Sequence, residues 1–242
     1  MPGLKERILH AHGGQRWSQA TEVLASCSVG GIELLSRFQL NALRSVDVHL
    51  QLAQGRLSLG AYPQPGQTAV FTGAEVWIED KQRRRLSQRA LDPSRTVRPW
   101  PLWDQLDVLA FVGTWLWQAL QSPFLLAAAE VECHELGAVM VGAERWQRLR
   151  VRFPPGLPVL AAEQLIYADA TGLVRRVDYT PLHYGPWMRA AQCLDGHESF
   201  GGFIYPTRRV VYPCLVGGHL ARLTPLSWLT LDDISVIRGQ AA

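Results

Sequence analysis

Trp146-Gln-Arg-Leu-Arg-Val-Arg-Phe153 is followed, past Pro154-Pro155, by Glu163-Gln-Leu-Ile-Tyr-Ala-Asp-Ala-Thr-Gly-Leu-Val-Arg-Arg-Val-Asp-Tyr179. In the first part Leu149, Val151 and Phe153 alternate with Arg148, Arg150 and Arg152, the two-residue period of a strand with one buried and one wet face. In the second, two apolar-rich runs flank Asp169-Ala170-Thr171-Gly172, where the aspartate side chain can close a turn and the glycine can take a positive φ. The stretch reads as a strand, a proline-rich link and a hairpin.

The alternation recurs upstream. Val46, Val48, Leu50 and Leu52 alternate with Ser45, Asp47, His49 and Gln51, and Ala53-Gln54-Gly55-Arg56 turns the chain into Leu57, Leu59 and Ala61. Residues 68–71 and 75–79 add two short strands around Gly73. Downstream, residues 131–134 and 138–141 read as strands about Gly137, and residues 181–187 as a loop. Residues 189–194 read as a strand turning at Asp195-Gly196, and residues 200–205 and 208–212 as strands flanking Pro206. Residues 228–237 read as a last strand with room for a bulge at Asp232-Asp233. Strands at this spacing predict an antiparallel meander.

Two regions follow a helical period instead. Leu4, Ile8 and Ala11 share a face, Gly13-Gly14 break it, and Trp17, Ala20, Val23 and Leu24 resume it, so two short helices are expected before the sheet. Over residues 103–120, Trp103, Leu106, Ala110, Gly113 and Trp117 form one stripe, which Leu109, Val112, Leu116 and Leu120 widen. A helix apolar nearly all round is buried on more than one side, so this one is expected to lie against, or plug, the concave face of the sheet. The expected fold class is α+β, mainly β with helices. One domain is expected over 1–242: a helical segment at 1–30, a first strand set at 36–90, a helical insert at 103–129 and a second strand set at 131–237.

A formal charge of +3, from 24 basic and 21 acidic residues, argues against a nucleic-acid partner. The basic run Lys81, Arg83, Arg84, Arg85, Arg89, Arg95 and Arg98, ending at Trp100-Pro101, reads as a solvated strand edge rather than a phosphate-binding patch. Cys27, Cys133, Cys193 and Cys214 lie far apart with no CxxC pair, and read as buried thiols. The N-terminal residues carry charges of both signs and no apolar core, so no secretory signal is read there. The longest apolar region, residues 108–129, is interrupted by Gln118, Gln121, Ser122 and Pro123; no stable membrane insertion is expected, and the expected location is cytoplasmic.

Chemistry-bearing motifs are scarce. His10 and His12, two apart, point to different faces of a helix, whereas a metal pair needs i and i+4. Cys133-His134-Glu135 holds ligand types whose side chains alternate across a strand, and His197 beside Asp195 and Glu198 reads as hairpin polarity. No nucleophile elbow, Walker loop or dinucleotide fingerprint is present. No catalytic residue, metal or cofactor is expected. Trp77, Trp100, Trp103, Trp115, Trp117 and Trp146 cluster around the strand-to-helix transition; they serve core packing or line an apolar cavity.

Gln164-Leu165-Ile166-Tyr167 through Asp169, Gly172-Leu173 and Arg175-Arg176-Val177-Asp178-Tyr179, with Ile204-Tyr205-Pro206 and, at the front, Ala11-His12-Gly13-Gly14 and Trp17, resembles the lipoprotein-carrier (Lol) fold. The resemblance extends to uncharacterised bacterial proteins of that fold. It implies an antiparallel, strongly curved, unclosed β-barrel with N-terminal helices and a central helical plug, whose concave face holds acyl chains or other apolar molecules. The expected function is then non-enzymatic binding or carriage of an apolar small molecule or lipid, with Trp77, Trp103, Phe111, Trp115 and Trp117 lining the cavity. The alternative is a cofactor-free enzyme acting on an apolar intermediate, since the same fold type resembles that of a violacein-pathway enzyme; it requires a His, Arg or Glu such as His134 or Arg148 inside the cavity.

Overall fold

The computed structural model describes residues 2–39, 43–92, 103–181, 188–223 and 225–239. Arg95, Arg98, Trp100 and Pro101 of the basic run, and most of the loop read at residues 181–187, lie outside these. The helices are α1 (Leu4–Ala11), α2 (Ile32–Leu35) and α3 (Gln105–Gln121). The first set of strands is β1 (Ala20–Gly30), β2 (Val46–Gln51), β3 (Arg56–Gly60), β4 (Gln67–Phe71), β5 (Glu75–Asp80) and β6 (Arg85–Ala90). The second is β7 (Glu132–Val141), β8 (Glu144–Arg152), β9 (Glu163–Ala168), β10 (Val174–Tyr179), β11 (Arg189–Phe200), β12 (Phe203–Cys214) and β13 (Ser227–Arg238).

All thirteen strands belong to one antiparallel sheet, in the order β6-β5-β4-β3-β2-β1-β13-β12-β11-β10-β9-β8-β7. Strands β6 and β7 are its edges, with no ladder between them among the described residues, so the barrel is unclosed. The chain leaves the sheet at one edge and re-enters at the other. Helix α3 lies between these two edges in sequence and packs against β4 and β5.

Helix α3 is buried from Leu106 to Gln121. Burial of a side chain such as Leu109 or Leu116 contributes roughly 1.5–3 kcal/mol. At its N-terminus Asp104 accepts hydrogen bonds from the Leu106 and Asp107 amides, while the Asp107 carboxylate accepts from the Asp104 amide, a reciprocal cap. Arg89 of β6 bridges both carboxylates. Burial works against the Asp104 charge, but the bond from Arg89 and those from the helix amides outweigh it and hold the carboxyl at about 2. Gly113 lets α3 approach β4 closely, because a Cβ there would sit 2.7 Å from the Phe71 ring.

The stretch that opened the sequence reading folds as expected. Leu149, Val151 and Phe153 enter the core, whereas Arg150 and Arg152 are exposed and Arg148 turns back to the Leu136 carbonyl. Asp169 closes its turn by accepting from the Thr171 and Leu173 amides, and Gly172 has φ 91°. The last strand carries its bulge: Ser26 pairs with Asp233 and Cys27 with Leu231, leaving Asp232 as the extra residue. Strand β6 is an exposed edge, and Arg84 and Arg85 pair with Asp80 and Glu75 there.

Several expectations fail. The second N-terminal helix is instead a 3-10 turn at Gly14–Gln19 followed by β1, so the first strand set begins at Ala20 rather than near residue 36. Val23, Ala25, Cys27 and Val29 alternate inward over eleven residues, and this long two-residue period outweighs the brief helical spacing of Trp17, Ala20, Val23 and Leu24. Strand β11 does not turn at Asp195-Gly196; it runs to Phe200 and turns at Gly201-Gly202, both with positive φ, while Gly196, at φ 63°, stands inside the strand with no change of register. Likewise β7 is one strand with a register shift between Glu135 and Ala138, not two strands about a Gly137 turn, and β12 is one strand running through Pro206, which pairs with His197, not two strands flanking that proline. All four cysteines are free; Cys27 is buried and the other three are half-buried rather than fully buried.

Candidate functional site

A cleft lies between the C-terminal half of α3 and the inward faces of the second strand set. Its walls are Trp115, Gln118 and Ala119 of α3, Leu125 and Leu126 after the helix, Phe153 and Leu160, then Gln164 and Ile166 of β9, Val174 and Val177 of β10, Gln192 and Leu194 of β11, and Arg209 of β12. Its cavity volume is only about 30 Å³. The cleft is therefore narrow, with its walls nearly in contact. A smaller void of about 10 Å³ lies beside Phe111 and Trp115.

The polar groups in the lining divide into two sets. In the first, the donors meet acceptors. Gln118 Nε2 donates to Gln164 Oε1 at 2.8 Å, Gln164 Nε2 donates to the Ala161 carbonyl at 3.0 Å, and the Leu160 amide donates to Gln118 Oε1 at 2.8 Å. His12 donates from Nδ1 to the Ile204 carbonyl at 2.7 Å and accepts at Nε2 from the Val174 amide at 3.2 Å. Burial lowers its pKa to about 4, so it is a neutral imidazole that staples α1 to β10 and β12. With both nitrogens committed to backbone, it has none left for proton transfer or a metal.

The second set is not matched. Arg209 is fully buried, and its Nη2 donates to the Ala119 carbonyl at 2.8 Å, near the negative end of α3. Burial lowers its pKa to about 10, so it stays a cation at neutral pH. Among the described residues no carboxylate pairs with it, and its Nε has no partner. Gln192 Nε2 and Trp115 Nε1, in the same lining, also lack acceptors.

The five residues expected to line the cavity are not brought together. Trp115 lines the cleft, and Phe111 joins it at the smaller void. Trp103 packs at the N-terminal end of α3, under the Arg37 guanidinium at 4.1 Å and beside Phe111 at 5.3 Å. Trp117 faces the β2–β3 turn, where its Nε1 lies 3.8 Å from the position of a Cβ on Gly55. Trp77 is on the opposite face of the sheet: Val76 and Ile78 take the inward positions of β5, while Trp77 lies beneath Arg85 at 4.1 Å and donates to Glu79. The alternation of β5 imposes this, because neighbouring strand residues cannot both face inward.

His134 and Arg148, the groups named for an enzyme, also lie outside the cleft: His134 is exposed on edge strand β7, and Arg148 is on the outer face of β8. His197 sits within β11, donates from Nε2 to the Val174 carbonyl at 3.0 Å and faces Arg175 at 3.3 Å, rather than pairing with Asp195 or Glu198. No group of three or more His, Cys, Asp or Glu side chains converges on a metal position among the described residues. Nor is any helix there long and apolar enough to cross a membrane.

Sequence reasoning missed Arg209, Gln192, Gln164 and Gln118. A signal for Arg209 was present. Arg208-Arg209 lies inside a strand, and a two-residue period must send one of two adjacent arginines inward.

No family model matches the sequence, and no curated protein matches it. Solved structures do match its fold. A LolA-superfamily protein of Nitrosomonas europaea aligns with a TM-score of 0.55 at 12% identity, over 97% of this chain and 94% of that one. A domain from Vibrio parahaemolyticus, named for outer-membrane lipoprotein sorting, aligns with a TM-score of 0.55 at 10% identity, over 98% and 95%. The fold is thus the Lol-like unclosed barrel that the sequence resembled.

Proposed function

We propose that this chain binds and carries an apolar small molecule or lipid in the cleft between α3 and strands β9 to β12. The observation that carries this reading is the lining: leucine, isoleucine, valine and aromatic side chains roofed by a helix on the concave face of a Lol-like sheet. The neighbour named for lipoprotein sorting supports it by analogy of fold. Because the walls nearly touch, a ligand with an alkyl chain enters by parting them, and the matched amides of Gln118 and Gln164 are the contacts that must yield. The driving term is burial of ligand surface, about 25 cal/mol per Å² of apolar area.

Native mass spectrometry after incubation with fatty acids, fatty alcohols or phospholipids tests this, together with tryptophan fluorescence titration. The expected result is a 1:1 adduct with a saturable change in emission. Absence of any adduct and flat fluorescence across all three classes would overturn it.

A further inference from the structure

The unmatched groups of the cleft have one chemistry in common. Arg209 Nε, Gln192 Nε2 and Trp115 Nε1 are all donors, all buried, and none has an acceptor. A buried donor without a partner has lost its bond to water with nothing in return, so three in one lining call for an explanation. Register brings two of them together. Gln192 pairs with Val211 and Arg209 with Leu194, which makes Gln192 and Arg209 diagonal neighbours on the inward face of the β11–β12 ladder.

Capping of α3 explains only one edge of the Arg209 guanidinium, the Nη2 bond to Ala119. Other arginines with an unpartnered Nε differ from it. Arg56 pairs with Glu79, Arg37 stacks on Trp103, and Arg148 lies on the outer face. Arg209 alone among these is a buried cation in the cleft with neither carboxylate nor ring against it.

We propose that Arg209 and Gln192 form a headgroup site, and that the ligand of the cleft is an amphiphile ending in a carboxylate. This rests on the carrier reading and narrows its ligand class. The carboxylate accepts from Arg209 Nε and Gln192 Nε2 and neutralises the buried cation, while the alkyl chain lies along Leu125, Leu126 and Leu160. An alcohol of the same chain length fills the same apolar wall but leaves the cation unpaired.

Calorimetric titration of the full chain with dodecanoate and with dodecanol tests the proposal through the ratio of the two affinities. The wild type is expected to prefer dodecanoate by about 10- to 100-fold, the worth of a charge-assisted hydrogen bond. Arg209→Met is expected to erase the preference. Gln192→Leu, which leaves the Arg209–Ala119 bond in place and so serves if Arg209→Met does not fold, is expected to lower it about tenfold. Equal wild-type affinity for the two ligands, or a preference unchanged in Gln192→Leu, overturns the headgroup site while leaving apolar carriage intact. Binding of neither ligand overturns the headgroup site, and the absence of a phospholipid adduct as well overturns the carrier reading with it.

Discussion

Gln118 of α3 and Gln164 of β9 hold each other through both ends of their amides, at 2.8 Å in one direction and 3.3 Å in the other. They are the polar clasp of an otherwise apolar contact between helix and sheet, and both are buried. Gln164→Leu leaves the Gln118 amide nitrogen without its acceptor in a buried position. The expected cost is about 1–3 kcal/mol in urea unfolding. An unchanged unfolding midpoint would mean that the clasp does not hold α3 down.

His12 makes stability depend on pH. Its folded pKa, about 4, lies below the value of 6.5 for a free histidine because burial disfavours the charge. Below pH 6.5 the unfolded chain takes up a proton that the folded chain refuses until about 4, so stability falls as pH drops through that window. Between pH 7.5 and pH 5 the expected loss is about 2 kcal/mol. His197, lowered first by burial and then by Arg175, adds to the loss in the same direction. Urea midpoints at the two pH values measure it, and His12→Asn is expected to remove most of the dependence.

Gly113→Ala forces a methyl group against the Phe71 ring, which belongs to a strand and cannot retreat freely. The expected destabilisation is about 1–3 kcal/mol. Phe71→Leu creates room at that point, so the double variant is expected to lose less than the sum of the two single losses. Strict additivity would show that the ring does not meet the new methyl group.

Trp115 and Trp77 separate the two faces of the sheet spectroscopically. Trp115→Phe is expected to abolish most of the ligand-dependent change in emission, because Trp115 lines the cleft. Trp77→Phe, on the outer face beneath Arg85, is expected to leave that change as in the wild type. Loss of the signal in Trp77→Phe but not in Trp115→Phe would place the ligand outside the cleft.

The parts of this fold that the sequence announced are those with local causes. The Asp169 turn needs only an aspartate and a glycine three residues later, and the arginines of β8 sort themselves by alternation. The burial of α3 followed from its nearly unbroken apolar surface. The candidate site was less legible because its residues are exceptions to the patterns that locate elements. Gln118 looked like an interruption of an apolar helix, and Gln164 occupies an inward position among apolar neighbours in β9. Arg209 was masked by Arg208 beside it. Tryptophan content does not by itself tell cleft from packing, because large apolar area serves packing on either face, as Trp77 and Trp117 do.

The ladder between β1 and β13 has a kinetic consequence. Either side of it, β2 to β6 and β7 to β12 are meanders whose neighbours are close in sequence. The central seam instead joins Ala20 to Arg238, so its two strands meet only after a loop of about 200 residues closes, a slow and entropically costly event. Each half-sheet can form by local pairing, and the barrel acquires its midline last. Pulsed hydrogen exchange during refolding is therefore expected to protect the amides of β3 to β5 and β8 to β11 before those of the β1–β13 seam.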